Sequence, residues 1–288
     1  MTKIINSFST ILDKYDFFIL DQWGVMHDGQ KGYKHAINAV NKLIIEDKKL
    51  VIISNSSKRK ISSINSLKNL GFNKKHFVEV MTSGEMIWHE LLKSNKIYKN
   101  NFKNCFHIFD KSKEDSLDFR NGLEKFKFVT DIKDANFILG CTPFENTEPL
   151  DYIPILKDAL QLNLTFFCAN PDFVTIQKEK NVFCMGTISD LYDRMGGNVI
   201  TLGKPSIEIY LESFKKIKEL QLSKIVAIGD SLDHDILGAN NFGIDSVLIT
   251  SGIHKNMFRD SYEKGLKKLK NNKKWIFEPT YLCKNFSI

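Results

Sequence analysis

Short, continuously apolar runs alternate with amphipathic stretches along the whole chain, and this alternation limits the fold more than any other feature. The runs are "DFFIL", "LVIIS", "VEV", "CFHIF", "NFILG", "LTFFCA", "NVIT", "KIVAIG" and "DSVLIT". Between them, "YKHAINAVNKLIIEDK", "ISSINSLKNLG", "GEMIWHELLKS", "LDYIPILKDALQ" and "SIEIYLESFKKIKEL" place apolar residues at helical spacing. Strands that are apolar on both faces belong to parallel sheets covered by helices on each side. The runs are too many for one such sheet, so two α/β units are expected within 288 residues. The polar "KSKEDSLDFRNGLEKFKF" is the least patterned portion. In "MTKIINSFSTILDKY", Ile4, Ile5, Phe8, Ile11 and Leu12 recur at helical spacing and predict a docking helix.

Composition excludes several classes. The net charge of +7 comes from scattered lysines, and the densest run, "KGLKKLKNNKK", has no interleaved aromatics. It reads as a solvated helix face and gives no case for nucleic-acid binding. No apolar run approaches membrane-spanning length. The five cysteines form no C-x-x-C pair, and three lie in apolar runs such as "FFCAN". With no apolar leader at the N-terminus, the expectation is a cytoplasmic protein with reduced, buried thiols and no membrane partner.

In open parallel sheets, ligands bind outside the carboxyl ends of the strands. The residue after each apolar run is therefore the informative one. Those positions hold Asp21 after "FFIL", Ser54 after "LVII" and Asp230 after "KIVAIG", while Lys204 follows "NVITLG". Asp21 and Asp230, with waters, suit Mg2+, a hard ion that prefers oxygen. Asp235, in "GDSLDHDILGA", can brace that loop or charge the helix start. Ser54, Asn55, Ser56 and Ser57 offer hydroxyl and amide donors for an anion, and Lys204 a compact positive charge. With phosphoryl charge neutralised, a carboxylate can attack phosphorus. "NVITLGKPS" fails as a nucleotide P-loop at Asn198 and Pro205, no G-x-G-x-x-G opens a helix, and the histidines lack zinc spacing.

The order Asp21, Ser54, Lys204, Asp230 resembles the four motifs of the haloacid-dehalogenase superfamily. "DQWGVMHDG", "ISNSSK", "MTSGEMIW", "CANPD", "LGKPSIEIY" and "IGDSLDHDILGANNFGIDSVLITSG" are similar to its class IIA capped phosphatases, the p-nitrophenyl-phosphatase and nucleotide-monophosphatase-like branch. The resemblance implies a Rossmann-like α/β core, residues 1–84 and 189–288, with an α/β cap inserted at 85–188. It implies a Mg2+-dependent phosphatase acting on a small phosphorylated metabolite through an aspartyl-phosphate. Asp21 would be the nucleophile and a metal ligand, the Trp23 carbonyl and Asp230 further ligands, and Asp235 the second acid of the last motif. Ser54, Asn55 and Lys204 would bind the phosphoryl group. Asn170 and Asp172, in "NPD", would lie where cap meets core and contact substrate or order the closed state. Caps of this branch contribute to dimer contacts, which makes a homodimer compatible with the sequence.

One position departs from the family. Most members carry Asp where Trp23 stands, and that side chain protonates the leaving group; "DQWGVMHDG" resembles the class IIA subset that carries Trp there. General acid–base help is worth roughly 10²–10⁴ in rate. His27 or Asp28 can substitute on the same loop; the plainer reading is that both hydrogen-bond the loop itself. Two other functions stay open on this evidence: a metabolite sensor with the site but no turnover, and a phosphotransferase with an acceptor other than water.

Overall fold

The computed structural model describes residues 2–97, 102–112, 117–177, 180–271 and 277–288. The strands are β1 Lys3–Ile4, β2 Phe17–Leu20, β3 Lys49–Ser54, β4 Phe77–Thr82, β5 Asn104–Ile108, β6 Lys127–Val129 and β7 Phe137–Gly140. They continue with β8 Thr165–Cys168, β9 Val174–Gln177, β10 Lys180–Phe183, β11 Asn198–Thr201, β12 Ile225–Gly229, β13 Asp245–Ile249 and β14 Tyr281–Cys283. The α-helices are α1 Lys34–Ile45, α2 Lys60–Asn69, α3 Ser83–Ile97, α4 Ile153–Gln161, α5 Met185–Arg194, α6 Ile207–Phe214, α7 Leu237–Phe242 and α8 Tyr262–Asn271.

Seven strands form a wholly parallel sheet in the order β1-β14-β13-β12-β2-β3-β4. Its strands alternate between two cores. Phe18, Leu20, Leu50, Ile52, Val226 and Ile228 face α1 and α2. Phe17, Ile19, Val51, Ile53, Ile225 and Ala227 face α6 and α7. Burial on both faces is what makes these runs continuously apolar. The chain leaves β2 towards β3 on one side and reaches β12 and β13 on the other, so the strand order reverses between β2 and β12. That is the crevice where open α/β sheets take ligands.

A second parallel sheet, β11-β8-β7-β5-β6, lies between β4 and β12 in sequence. Ile108, Ile138 and Phe166 pack with Leu156 and Ile188 on one face. Cys105, Phe137, Leu139 and Phe167 pack with Ile87 and Leu91 on the other. The antiparallel hairpin β9–β10 stands apart from both sheets.

Three sequence expectations are corrected here. The boundary placed near Ile188 falls short, because β11 pairs with β8 and carries the second sheet to Thr201. For the same reason "NVIT" does not end on the edge that bears Asp21, and Lys204 reaches that edge on the connection back to the first sheet. The N-terminal stretch is not one helix. Lys3–Ile4 pairs with β14, and Ser7 then caps a 3-10 helix, Phe8–Lys14, by accepting from the Ser9 N–H. Ile5, Phe8, Ile11 and Leu12 are buried and Ile4 is exposed, so the docking role stands and the period does not. Of "KGLKKLKNNKK", the part to Asn271 ends α8 and the rest lies outside the described residues, as do residues 113–116 of the poorly patterned portion. All five cysteines are buried, and none forms a disulfide. Among the described residues, no helix is long and apolar enough to cross a membrane.

The second sheet buries a histidine. Arg120 Nε donates to His107 Nδ1 at 3.2 Å, so Nε2 carries the proton and faces Cys141 Sγ at 3.2 Å. Burial, with the Arg120 charge, lowers the His107 pKa from 6.5 to about 3. The unfolded chain takes up this proton as pH falls below about 6.5, while the folded protein resists until about 3. The folded state is therefore favoured at neutral pH and loses that advantage on acidification. The stability margin of wild type over His107→Gln should shrink by about 3 kcal/mol between pH 7 and pH 4. Urea denaturation of both proteins at the two pH values measures it, and an unchanged margin would refute the assignment.

Candidate active site

The carboxyl ends of β2 and β12 set two acids side by side. Asp21 extends the ladder, its N–H donating to the Ile228 carbonyl at 2.9 Å, and Asp230 follows β12 directly. Asp235 lies on a single wide turn, Leu232–Ile236, that leads into α7. Oxygens of Asp21, Asp230 and Asp235 all come within 4.8 Å of one another. All three residues are buried.

Lys204 joins two of them. Its Nζ donates to Asp21 Oδ1 and to Asp235 Oδ1, each at 2.6 Å. Asp235 Oδ2 accepts the Ser231 N–H at 3.0 Å, so both of its oxygens are engaged and it braces the loop. Lys204 is itself held by Asn55, whose Oδ1 accepts the Lys204 N–H at 2.8 Å and whose Nδ2 donates to the Lys204 carbonyl at 3.0 Å. This reciprocal pair fixes the lysine backbone to the loop after β3. The Ser54 hydroxyl, by contrast, accepts the Ser56 N–H and lines neither cavity of the site.

Charge balance at this cluster is unequal. Burial, with the charges of Asp235 and Asp172, raises Asp21 to about 7 against the pull of Lys204. Burial and the neighbouring acids push Asp230 well above the carboxylate range. For Lys204, burial favours the neutral amine, but Asp21 and Asp235 outweigh it and raise its pKa. Among the described residues Asp230 receives one hydrogen bond, from the Ile253 N–H at 3.0 Å. Two glycines press on it: a Cβ at Gly24 or at Gly252 would sit 2.1 Å from Asp230 Oδ2. Such a cradle of oxygens, with excess negative charge and no bulk around it, fits a hard divalent cation.

Two cavities meet at this edge. A small one is lined by Asp21, Lys204, Asp230, Ser231 and His234. A cleft of about 740 Å³ runs from there between the first sheet's loops and the second sheet, past Lys58, Phe109, Asp118, Phe144 and Asn170. Trp23, Asp172 and Thr175 line both. The Trp23 indole lies against Gly29, where a Cβ would come within 2.2 Å of the ring, and edge-on to His27 with centroids 5.2 Å apart. Gly29 has φ +88°, open to glycine at no cost.

His27 and Asp28 build this loop. The Gly29 N–H donates to His27 Nδ1 at 3.1 Å, and Asp28 Oδ1 accepts the Gln30 and Lys31 N–H groups at 2.9 Å. Burial lowers His27 to about 4. For Asp28, burial pushes the pKa up, but the backbone bonds from Lys31 and Gln30, with the Lys31 charge, together outweigh it and lower the pKa. Asn170 Oδ1 accepts the Asp172 N–H, and Asp172 Oδ1 accepts from Asn55 Nδ2 at 2.8 Å.

The sequence reading missed His234. Its Nδ1 lies 3.2 Å from Asp172 Oδ1 and 3.1 Å from Ser231 Oγ, and its ring packs against Phe173. The available signal was its place between two acids in "DHD", directly after a strand-end aspartate.

Two family models match the chain. A haloacid dehalogenase-like hydrolase model covers residues 18–118 and a HAD-hydrolase-like model covers residues 201–287. A search of curated proteins finds no match. Among solved structures, the chain resembles a haloacid dehalogenase-like family hydrolase from Brucella suis, at TM-score 0.81 and 24% identity over 97% of this chain and 98% of that one. A p-nitrophenyl phosphatase from Archaeoglobus fulgidus aligns at TM-score 0.66 and 18% identity, covering 95% and 97%. A glycerol phosphate phosphatase from Mycobacterium tuberculosis, in complex with calcium, aligns at 0.67 and 17%, covering 98% and 74%.

Proposed function

We infer, from the premise that this chain belongs to the haloacid dehalogenase-like hydrolase family, that it is a phosphatase of small phosphorylated metabolites that forms an aspartyl-phosphate on Asp21. The observation that carries this reading is Lys204 clamped between Asp21 and Asp235, with Asp230 facing them at the crevice between β2 and β12. Structural relatives that are phosphatases, one of them a calcium complex, support it.

Asp21 and Asp230, with the Trp23 carbonyl, are the residues that would hold a divalent ion, and Mg2+ suits their oxygen set. When bound, such an ion neutralises phosphoryl charge as a Lewis acid. The chain's own residues do the rest. Lys204 holds Asp21 Oδ1 in place and adds positive charge where oxygens of the phosphoryl group collect. Asn55 fixes Lys204. Asp21 Oδ2 attacks phosphorus, the ester bond to the leaving group breaks, and water later releases phosphate. His27 and Asp28 are engaged in their own turn and take no part. The second sheet, acting as a cap, closes the cleft and selects the leaving group.

Turnover of p-nitrophenyl phosphate should vanish on chelation and return with Mg2+. Gly252→Ala pushes on Asp230 Oδ2 and should raise the Mg2+ concentration needed for half-maximal rate by roughly tenfold or more, the equivalent of about 1.4 kcal/mol. Full activity in excess chelator would sink the reading.

A further inference from the structure

A departing alkoxide needs a proton, and the loop after β2 sets no acid beside the small cavity that holds Asp21. The Trp23 indole is no acid, His27 lines neither cavity, and Asp28 lines the cleft alone. The geometry points to Asp172: we propose that its carboxyl group delivers the proton to the leaving oxygen and takes one back from the attacking water. This inference rests on the phosphatase reading above.

Position is the first ground. Asp172 lines both the small cavity that holds Asp21 and the cleft that holds the leaving group, as does Trp23. The bond that breaks must lie at their junction, since phosphorus sits on one side and the leaving group on the other. A carboxyl group at that boundary can reach the oxygen between them.

Fixation is the second. Asp172 Oδ1 is held by Asn55 Nδ2 at 2.8 Å and by His234 Nδ1 at 3.2 Å. Asn55 is in turn bonded twice to the backbone of Lys204, the residue that holds Asp21. Acid and nucleophile thus share one rigid reference. The Asp172 backbone is anchored as well, its carbonyl accepting the Gly186 N–H at 3.1 Å. A Cβ at Gly186 would come within 2.4 Å of that same carbonyl oxygen, so glycine permits the approach.

Availability is the third. Among the described residues, Asp172 Oδ2 receives no hydrogen bond, and its side chain is 30% exposed where those of Asp21 and Lys204 are 11% and 3%. One oxygen positions the group and the other is left for chemistry. The steps balance. In the first, the Asp21–phosphorus bond forms, the ester bond breaks, and a proton that Asp172 has taken from solvent through its exposed side goes to the leaving oxygen. In the second, water bonds to phosphorus, the Asp21–phosphorus bond breaks, and the water proton returns to Asp172.

Asp172→Asn keeps an oxygen for Asn55 and His234 and removes the transferable proton, so it separates chemistry from positioning. The test uses aryl phosphates of matched shape: p-nitrophenyl, phenyl and p-methoxyphenyl phosphate. The variant should lose roughly 10²–10⁴ in the first step on the phenyl and methoxyphenyl esters, the usual size of general acid help. With p-nitrophenyl phosphate, whose leaving group needs no proton, it should give a fast burst of nitrophenolate, with phosphorylated protein accumulating behind a slow second step. An equal loss on all three esters with no burst overturns the assignment, because a structural role would produce that pattern. Rates equal to wild type on all three also overturn it. If wild type itself releases no phosphate from any of them, the phosphatase reading is what fails.

Discussion

Asp21→Asn should remove turnover by roughly 10⁴-fold or more, the scale seen when a nucleophile that acts within a concerted set is lost. The folded state should survive. Burial of the Asp21 carboxylate is the main force raising its pKa to about 7, so its charge is held at a cost that the amide does not incur. Lys204 also bonds Asp235, at 2.6 Å in the unsubstituted protein, and that partner is untouched by the change. Three measurements check this: steady-state hydrolysis of p-nitrophenyl phosphate, recovery of acid-stable phosphoprotein after quench, and circular dichroism. A variant that folds and hydrolyses at the wild-type rate would remove Asp21 from the chemistry.

Lys204→Met should be the most damaging single change to stability near the site. The side chain is 3% exposed and bonds two buried carboxylates. Removing one partner of a buried charge set typically costs about 3–5 kcal/mol, because the charges left behind have neither water nor a counter-ion. The cost should depend on pH in a stated direction. Burial already raises the Asp21 pKa against the pull of Lys204, so without the ammonium Asp21 binds its proton still more tightly in the folded protein than in the unfolded chain. The variant therefore recovers stability as pH falls and is weakest above neutrality. Denaturation in chelator at pH 8 and pH 5 reads this out, and the gap from wild type should narrow at the lower value. Turnover should fall by about 10²–10³, as for loss of one charge-stabilising donor. A variant as stable as wild type at pH 8 would show that Lys204 does not compensate the cluster.

The parallel core was legible because burial on both faces leaves its strands continuously apolar, and β2, β3, β12 and β13 all read that way. Membership of a sheet is another matter. The four residues of β11 carry no mark of which sheet they join, since that depends on the partner strand, β8, met only in the folded chain. The N-terminal segment shows how two short elements can imitate one: β1 leaves both its side chains exposed, while the 3-10 helix buries Phe8, Ile11 and Leu12 at intervals close to a helix period. α5 carries Met185, Ile188 and Tyr192 at helical spacing, but the polar residues between them make the pattern weak.

The site divides along the same line. Asp21, Asp230 and Lys204 were found because each follows an apolar run by a few residues, and the structure brings them together. Asn55 bonding to Asp172, and Asp172 to His234, depends on how the inserted segment docks, which no local pattern encodes. In the sequence His234 lacks the spacing of a zinc ligand, and nothing local marks its proximity to an acid from the "NPD" turn.

The second sheet enters the chain after β4 and leaves through β11, while Asp21, Lys204, Asp230 and Asp235 all cluster at the first. Drift within that insertion can retune the molecules admitted while the reactive edge keeps its architecture. Asp172 is the exception, a borrowed part that ties the freedom of the insert to the chemistry beneath it.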